Sequence, residues 1–128
     1  MKILAIIPAR MASSRFPGKP MAKIHGIPMI GHCYLRSLLS NKLDDCYVAT
    51  PDKEIDNYIK SLNGNSIITS HKHKMCNDRV IEAVEKIENK RLKAENKALR
   101  KEIAKKDQAL SEAATLLLLK KRLEEACL

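Results

Sequence analysis

The chain has 128 residues, room for one domain, and carries a net charge of +9 from 24 Lys and Arg against 15 Asp and Glu. Three Tyr, one Phe and no Trp give no aromatic platform on which bases could stack, which argues against specific nucleic-acid binding. The apolar run after Lys2 lasts only about six residues, short of a secretory core, and Leu116 to Leu119 is far too short to span a bilayer. Cys33, Cys46, Cys76 and Cys127 form no C-x-x-C pair, so free thiols in a reducing cytoplasm are expected.

All 4 Gly and all 5 Pro lie in residues 1–88, and the stretch 89–128 has no Gly, Pro, Tyr or Phe. That shift predicts an α/β segment over 1–88 and a helix built from Lys, Glu, Ala and Leu over 89–128. Residues 2–8 predict a first strand whose unbroken apolar run suits burial on both faces. Residues 9–27 predict loop, punctuated by Pro17, Gly18, Pro20 and Gly26. Pro28 can open a helix over 28–40 with Met29, Ile30, Cys33, Leu35 and Leu38 as its apolar positions. Residues 45–50 predict a second strand and 52–62 a helix with Ile55, Tyr58, Ile59 and Leu62 on one face, stopped by Asn63-Gly64-Asn65. Ser66 to Thr69 predicts a third strand, and a polar stretch then leads to a helix starting near Asp78. The alternation argues for a parallel sheet with right-handed crossovers, in which ligands bind beyond the carboxyl ends of the strands. The loops at Arg10 to Lys19, Thr50 to Asp52 and Ser70 to Asp78 leave such ends and could line one cleft.

The first of these loops carries the chemistry. Pro8 to Pro20 gathers Arg10, Arg15 and Lys19 with Ser13, Ser14 and Gly18 directly after a strand. Backbone N–H groups and hydroxyls can donate to phosphate oxygens there, while the cations neutralise their charge.

From Arg79 to Leu128 there is no helix breaker. Leu92, Leu99, Lys106 and Ala113 form one seam position of a heptad pattern, and Asn96, Ile103, Leu110 and Leu117 the other. Asn96 is the kind of polar residue that fixes register in a parallel dimer. Self-association through residues 92–117, a helix packed on its own domain and a frayed tail are the three readings of this pattern.

The run Ile6-Ile7-Pro8-Ala9-Arg10-x-x-Ser13-Ser14-Arg15-x-Pro17-Gly18-Lys19-Pro20 resembles the signature loop of the sugar-activating cytidylyltransferases, the family of the 3-deoxy-manno-octulosonate and acylneuraminate enzymes. The resemblance continues through Gly26-x-Pro28-Met29-Ile30-x-His32, Val48-Ala49-Thr50 and Asn77-Asp78-Arg79-x-x-Glu82-Ala83, covering about residues 2–88. It implies a doubly wound nucleotide-binding fold and transfer of CMP from CTP to an acidic sugar, a step in cell-surface polysaccharide synthesis, with CTP and the sugar as partners. By the resemblance, Arg10, Ser13, Arg15 and Lys19 contact the phosphates, with Arg15 and Lys19 at the reacting groups, and Ala9 lies against the cytosine. Ser70, Asp78 and Arg79 lie on the other side of the base and ribose. Mg²⁺ is expected of the family, but its carboxylate ligands come from later sequence that nothing after Glu88 resembles. Pro51 stands where the family has Asp, with Asp52 next to it, and Asn77 where it has Thr. A truncated domain, weakly active or inactive alone, is therefore the expectation.

Residues 96–117 resemble a different source, the C-terminal helix of helper proteins encoded by insertion-sequence transposons, where it acts in self-association. The helix-turn-helix that precedes it there is missing, so no DNA-reading module is implied. Together the two resemblances suggest a spliced reading frame. The alternative functions are a coiled-coil interaction protein, or nucleic-acid binding through charge alone. His71-x-His73-x-x-Cys76 is a poor zinc set with Lys72 and Lys74 between the ligands, so no metal site is assigned. His25 and His32 suit packing or capping, and burial suits Cys33, Cys46 and Cys76 better than a nucleophilic role.

Overall fold

A computed structural model describes residues 1–127. The elements are β1 (Leu4–Pro8), a 3-10 turn (Lys19–Met21), β2 (Lys23–Ile24), β3 (Ile27–Pro28), α1 (Met29–Leu38), β4 (Asp45–Thr50), α2 (Lys53–Ser61), β5 (Asn65–Ile68) and α3 (Cys76–Ala126). The chain divides into two units, Met1–Ile87 and Glu88–Leu128.

In the first unit β1, β4 and β5 make a parallel sheet in the order β1-β4-β5. Parallel neighbours need crossovers, and α1 and α2 supply them. β4 is central, and Cys46, Val48, Ala49 and Thr50 on it are buried. The core joins Cys46 and Val48 to Ile30 and Tyr34 of α1, Ile55 and Ile59 of α2, and Ala9. Both helices turn one stripe to this core, as their i, i+4 spacing requires.

Several expectations change. β1 is an edge strand and only partly buried, so its apolar run does not reflect cover on both faces. In α1 the buried positions are Ile30, Gly31 and Tyr34, while Leu35 is 40% and Leu38 51% exposed. The stripe is centred on Tyr34, whose hydroxyl accepts the Asn65 N–H at 3.1 Å and so ties α1 to the start of β5. Pro28 sits at the helix N-cap with extended ψ, one residue before the first turn.

The segment expected as loop holds the hairpin of β2 and β3. His25 and Gly26 turn it with φ of 50° and 77°, the left-handed pair that a two-residue hairpin requires. His25 is therefore an exposed turn residue rather than a packing one. His32 pins the hairpin to α1, its Nε2 lying 2.8 Å from the Ile24 carbonyl. α2 is stopped by Asn63, which takes the left-handed conformation (φ 56°). Gly64 is needed for space instead: a Cβ there would lie 2.8 Å from both Ile59 Cγ2 and Tyr34 Cε1.

In the second unit the remainder of α3 runs without interruption to Ala126, and its residues are exposed throughout. No helix among the described residues is long and apolar enough to cross a membrane.

Candidate functional site

The sheet register aligns Pro8, Ala49 and Thr50 at one end, so the loops after β1, β4 and β5 leave the same edge. Two further ladder bonds extend it: Ala9 N–H donates to the Ala49 carbonyl at 2.9 Å and Thr69 N–H to the Thr50 carbonyl at 3.0 Å. The loop after β1 is closed at its base, where Gly18, at φ 73°, donates its N–H to the Met11 carbonyl at 2.9 Å. Asp52 braces the same base, its carboxylate accepting the Met11 N–H at 2.8 Å. The turn after β4 thus positions the basic loop, and Asp52 is occupied in doing so.

A cavity of about 270 Å³ opens beside this loop, lined by Ile7, Pro8, Ala9, Arg10, Ser13, Lys19, Pro20, Met29, Ile30 and Cys33. Apolar groups from β1 and α1 form its floor, and Arg10, Ser13 and Lys19 supply the polar contacts. An apolar floor with a few convergent donors suits a base at one end and phosphates at the other. Sequence reasoning placed Ala9, Arg10, Ser13 and Lys19 here. It missed Cys33, whose burial was expected but which is exposed, as is Cys76. Cys46 is buried, and that burial pushes its thiol pKa up.

Arg15 does not line the cavity; it is exposed on the loop beside Phe16, which is 53% exposed. Ser70 and Asp78 line a second cavity of about 400 Å³ with His73, Ile81, Glu82 and Glu85. Arg79 lines neither: it is 2% exposed and donates to the His73 carbonyl at 3.4 Å. The eight expected residues therefore fall into two pockets, an exposed loop tip and a buried guanidinium.

One network links the two pockets. Glu82 accepts the Ser70 N–H at 2.9 Å, pairs with His73 Nε2 and lies 2.7 Å from Lys86 Nζ. The Lys86 ammonium, followed by the Ser70 N–H, holds the Glu82 carboxyl at about 2 against the opposing effect of burial. His73 is thereby fixed in the loop whose next residue, Lys74, offers its carbonyl to Arg10 Nη1 at 3.3 Å. The signal for this network was the quoted Asp78-Arg79-x-x-Glu82 run; its partners, set by the loop path, had none.

Among the described residues no group of three or more His, Cys, Asp or Glu is placed to hold a metal ion. The first cavity's polar lining is cationic or hydroxylic, so its own residues do not make a Mg²⁺ cage.

A family model described as cytidylyltransferase matches residues 4–115. The chain is 44% identical over 87 residues to 3-deoxy-manno-octulosonate cytidylyltransferase of Thermodesulfovibrio yellowstonii, covering 68% of this chain and 34% of that protein. It is 46% identical over 84 residues to 8-amino-3,8-dideoxy-manno-octulosonate cytidylyltransferase of Shewanella pealeana, covering 66% and 34%. A solved structure of CMP:2-keto-3-deoxy-manno-octonic acid synthetase complexed with CTP superposes with a TM-score of 0.65 at 38% identity, covering 67% of this chain and 36% of that one. The chain spans about a third of the length of the curated relatives it matches. The family match runs to residue 115, past Glu88 where the family resemblance was expected to stop, and none of these matches supports the expected likeness of residues 96–117 to transposon helpers. With the parallel sheet, the basic loop and a family match over most of its length, the chain belongs to the cytidylyltransferase family.

Proposed function

We propose that the first unit binds CTP, with the cytosine against Ala9 and the apolar floor and the phosphates toward Arg10, Ser13 and Lys19. The observation that carries this is the single cavity that these four residues share. Arg15 reaches the phosphates from the exposed loop tip, by movement of the loop over a bound nucleotide. Ser70, Asp78 and Arg79 serve the far side of the base and ribose, Arg79 through the loop that it anchors. The reaction served is transfer of CMP to an acidic sugar, in which a hydroxyl attacks the α-phosphorus and pyrophosphate leaves. Arg15 and Lys19 stabilise charge on the phosphate oxygens as it grows. Such a reading places the chain in the cytoplasm with the nucleotide pool. We propose further that this chain turns over weakly or not at all by itself, because the acids beyond Glu88, such as Glu95 and Glu102, pair with neighbouring cations on a helix surface.

Titration calorimetry with CTP and Mg²⁺ tests the binding. Removing a charged hydrogen bond costs about 1.5–3 kcal/mol, so Lys19→Ala should weaken CTP at least tenfold, and Arg15→Ala should do the same if the tip closes. A wild-type chain that is folded yet shows no heat with CTP overturns the reading.

A second reading is favoured by the exposed apolar seam of α3: Leu92, Leu99, Ile103, Leu110 and Leu117 are 44–68% exposed. On this reading residues 92–117 associate with another helix.

A further inference from the structure

We infer that the partner is a second copy of this chain, joined in a parallel, in-register, two-stranded coiled coil; this rests on the association reading above. In heptad terms Asn96, Ile103, Leu110 and Leu117 fall at a, and Leu92, Leu99, Lys106 and Ala113 at d. A β-branched residue at a with Leu at d, as Ile103 has in Leu99, favours two strands. Asn96 at a then meets Asn96 of the second copy, where the two amides can bond each other; a shift of one heptad would set it against Ile103.

Charge decides the direction. The g positions are Glu88, Glu95, Glu102, Ala109, Leu116 and Leu123, so every charge there is negative. The e positions begin Lys93 and Arg100. A parallel pair brings each g residue to the e residue five positions on in the other chain. That sets Glu88 against Lys93 and Glu95 against Arg100, twice each by symmetry. An antiparallel pair would face g with g, where glutamates could meet only one another or uncharged residues. Four kinds of parallel contact are unfavourable: Glu102 with Asp107 on the flank, where Glu102 already has Lys106 Nζ at 3.2 Å on its own helix, and Lys106, Lys120 and Glu124 each with the same residue of the second copy in the seam. The glutamates remain available, since the side chains of Glu88 and Glu95 are 50% and 58% exposed.

Counted on in the same phase, past Lys120 at d and Glu124 at a, Cys127 falls at d. Its N–H donates to the Leu123 carbonyl at 3.1 Å, so the helical path reaches it, and its side chain is exposed. A parallel in-register pair brings the two Cys127 thiols together within reach of an S–S bond. An antiparallel pair puts them at opposite ends.

The test uses the full chain with Cys33→Ser and Cys76→Ser, so that Cys127 is the exposed thiol. Sedimentation equilibrium at tens of micromolar is followed by mild copper-phenanthroline oxidation and a non-reducing gel. The expected result is twice the chain mass, with a crosslinked dimer that Cys127→Ser abolishes. Leu99→Lys should return the chain to a monomer and remove the crosslink, its retained helicity being checked by circular dichroism. A monomer before oxidation overturns both this inference and the association reading. A dimer that does not crosslink overturns the parallel register and leaves association standing. A trimer or tetramer overturns the two-stranded pairing.

Discussion

Ile59 and Leu99 are aliphatic residues on helical stripes of the same chain, yet Ile59 is fully buried and Leu99 is 54% exposed. The stripe of α2 meets β4 and α1 inside the first unit, whereas the stripe of the second unit meets nothing within its own unit. Periodicity states that a face needs cover; in the first unit topology supplies it. In the first unit the parallel sheet forces α2 back across β4, and that crossover is what buries Ile59. No such constraint acts on a single continuous helix.

The largest effect should come from breaking that difference. Ile59→Ala removes a fully buried side chain and should destabilise the first unit by about 2–5 kcal/mol in urea unfolding. Leu99→Ala should leave the same unfolding transition within about 0.5 kcal/mol. Equal losses would mean that Leu99 contributes to the stability of the first unit as much as Ile59 does.

Gly64→Ala should come next. The added methyl meets Ile59 Cγ2 and Tyr34 Cε1, both on buried side chains of the core, at 2.8 Å. Overpacking of this kind costs about 1–3 kcal/mol, to be read as a lower urea midpoint with an unchanged slope. An unchanged midpoint would show that α1 and α2 can separate without loss, and so that the first unit is less well packed than its burial indicates.

These positions also show what the sequence could reveal. β4 and α2 were legible because Asp45–Thr50 and the Ile55, Ile59 spacing carry strong period signals over whole elements. The hairpin was not, since strands of two residues have no period and only His25-Gly26 marks the turn. The basic loop announced Arg10, Ser13 and Lys19, whose positions follow from their place after β1. The same loop announced Arg15, which lies outside the cavity, and nothing in its neighbours says that the loop leaves it exposed. The brace from Asp52 to Met11 and the span from Lys74 to Arg10 join residues 41 and 64 positions apart. Long-range pairs of that kind leave no local trace.

Acid should produce a smaller effect, within the first unit. Glu82 has its carboxyl lowered to about 2 by Lys86, the Ser70 N–H and His73. A depressed carboxyl contributes stability that is whole above its unfolded pKa, near 4.3, and is lost as pH falls through that value toward 2. Glu82→Gln should therefore be less stable than wild type at neutral pH, and the two should converge by about pH 2. The separation between their unfolding midpoints, followed from pH 6 down to 2, measures this directly. Curves that stay parallel would show that the network does not survive in solution.

The smallest effect should come from the second unit's own ion pairs. Lys106 and Glu102 lie 3.2 Å apart at i,i+4, with side chains 73% and 60% exposed. Two long side chains held together in water gain little Coulomb energy and lose rotamer freedom, so such pairs contribute about 0.3–0.5 kcal/mol. Glu102→Gln should thus lower the helicity of a monomeric chain only slightly, seen at 222 nm, and less still in high salt. In a parallel dimer the sign reverses, because the substitution also removes the contact between Glu102 and Asp107 of the second copy. Tighter dimerisation by Glu102→Gln alongside weaker monomer helicity would separate what the helix does alone from what it does when paired. Looser dimerisation would mean that Glu102 does not face the partner, and that the charges along α3 are set by the solvated helix alone.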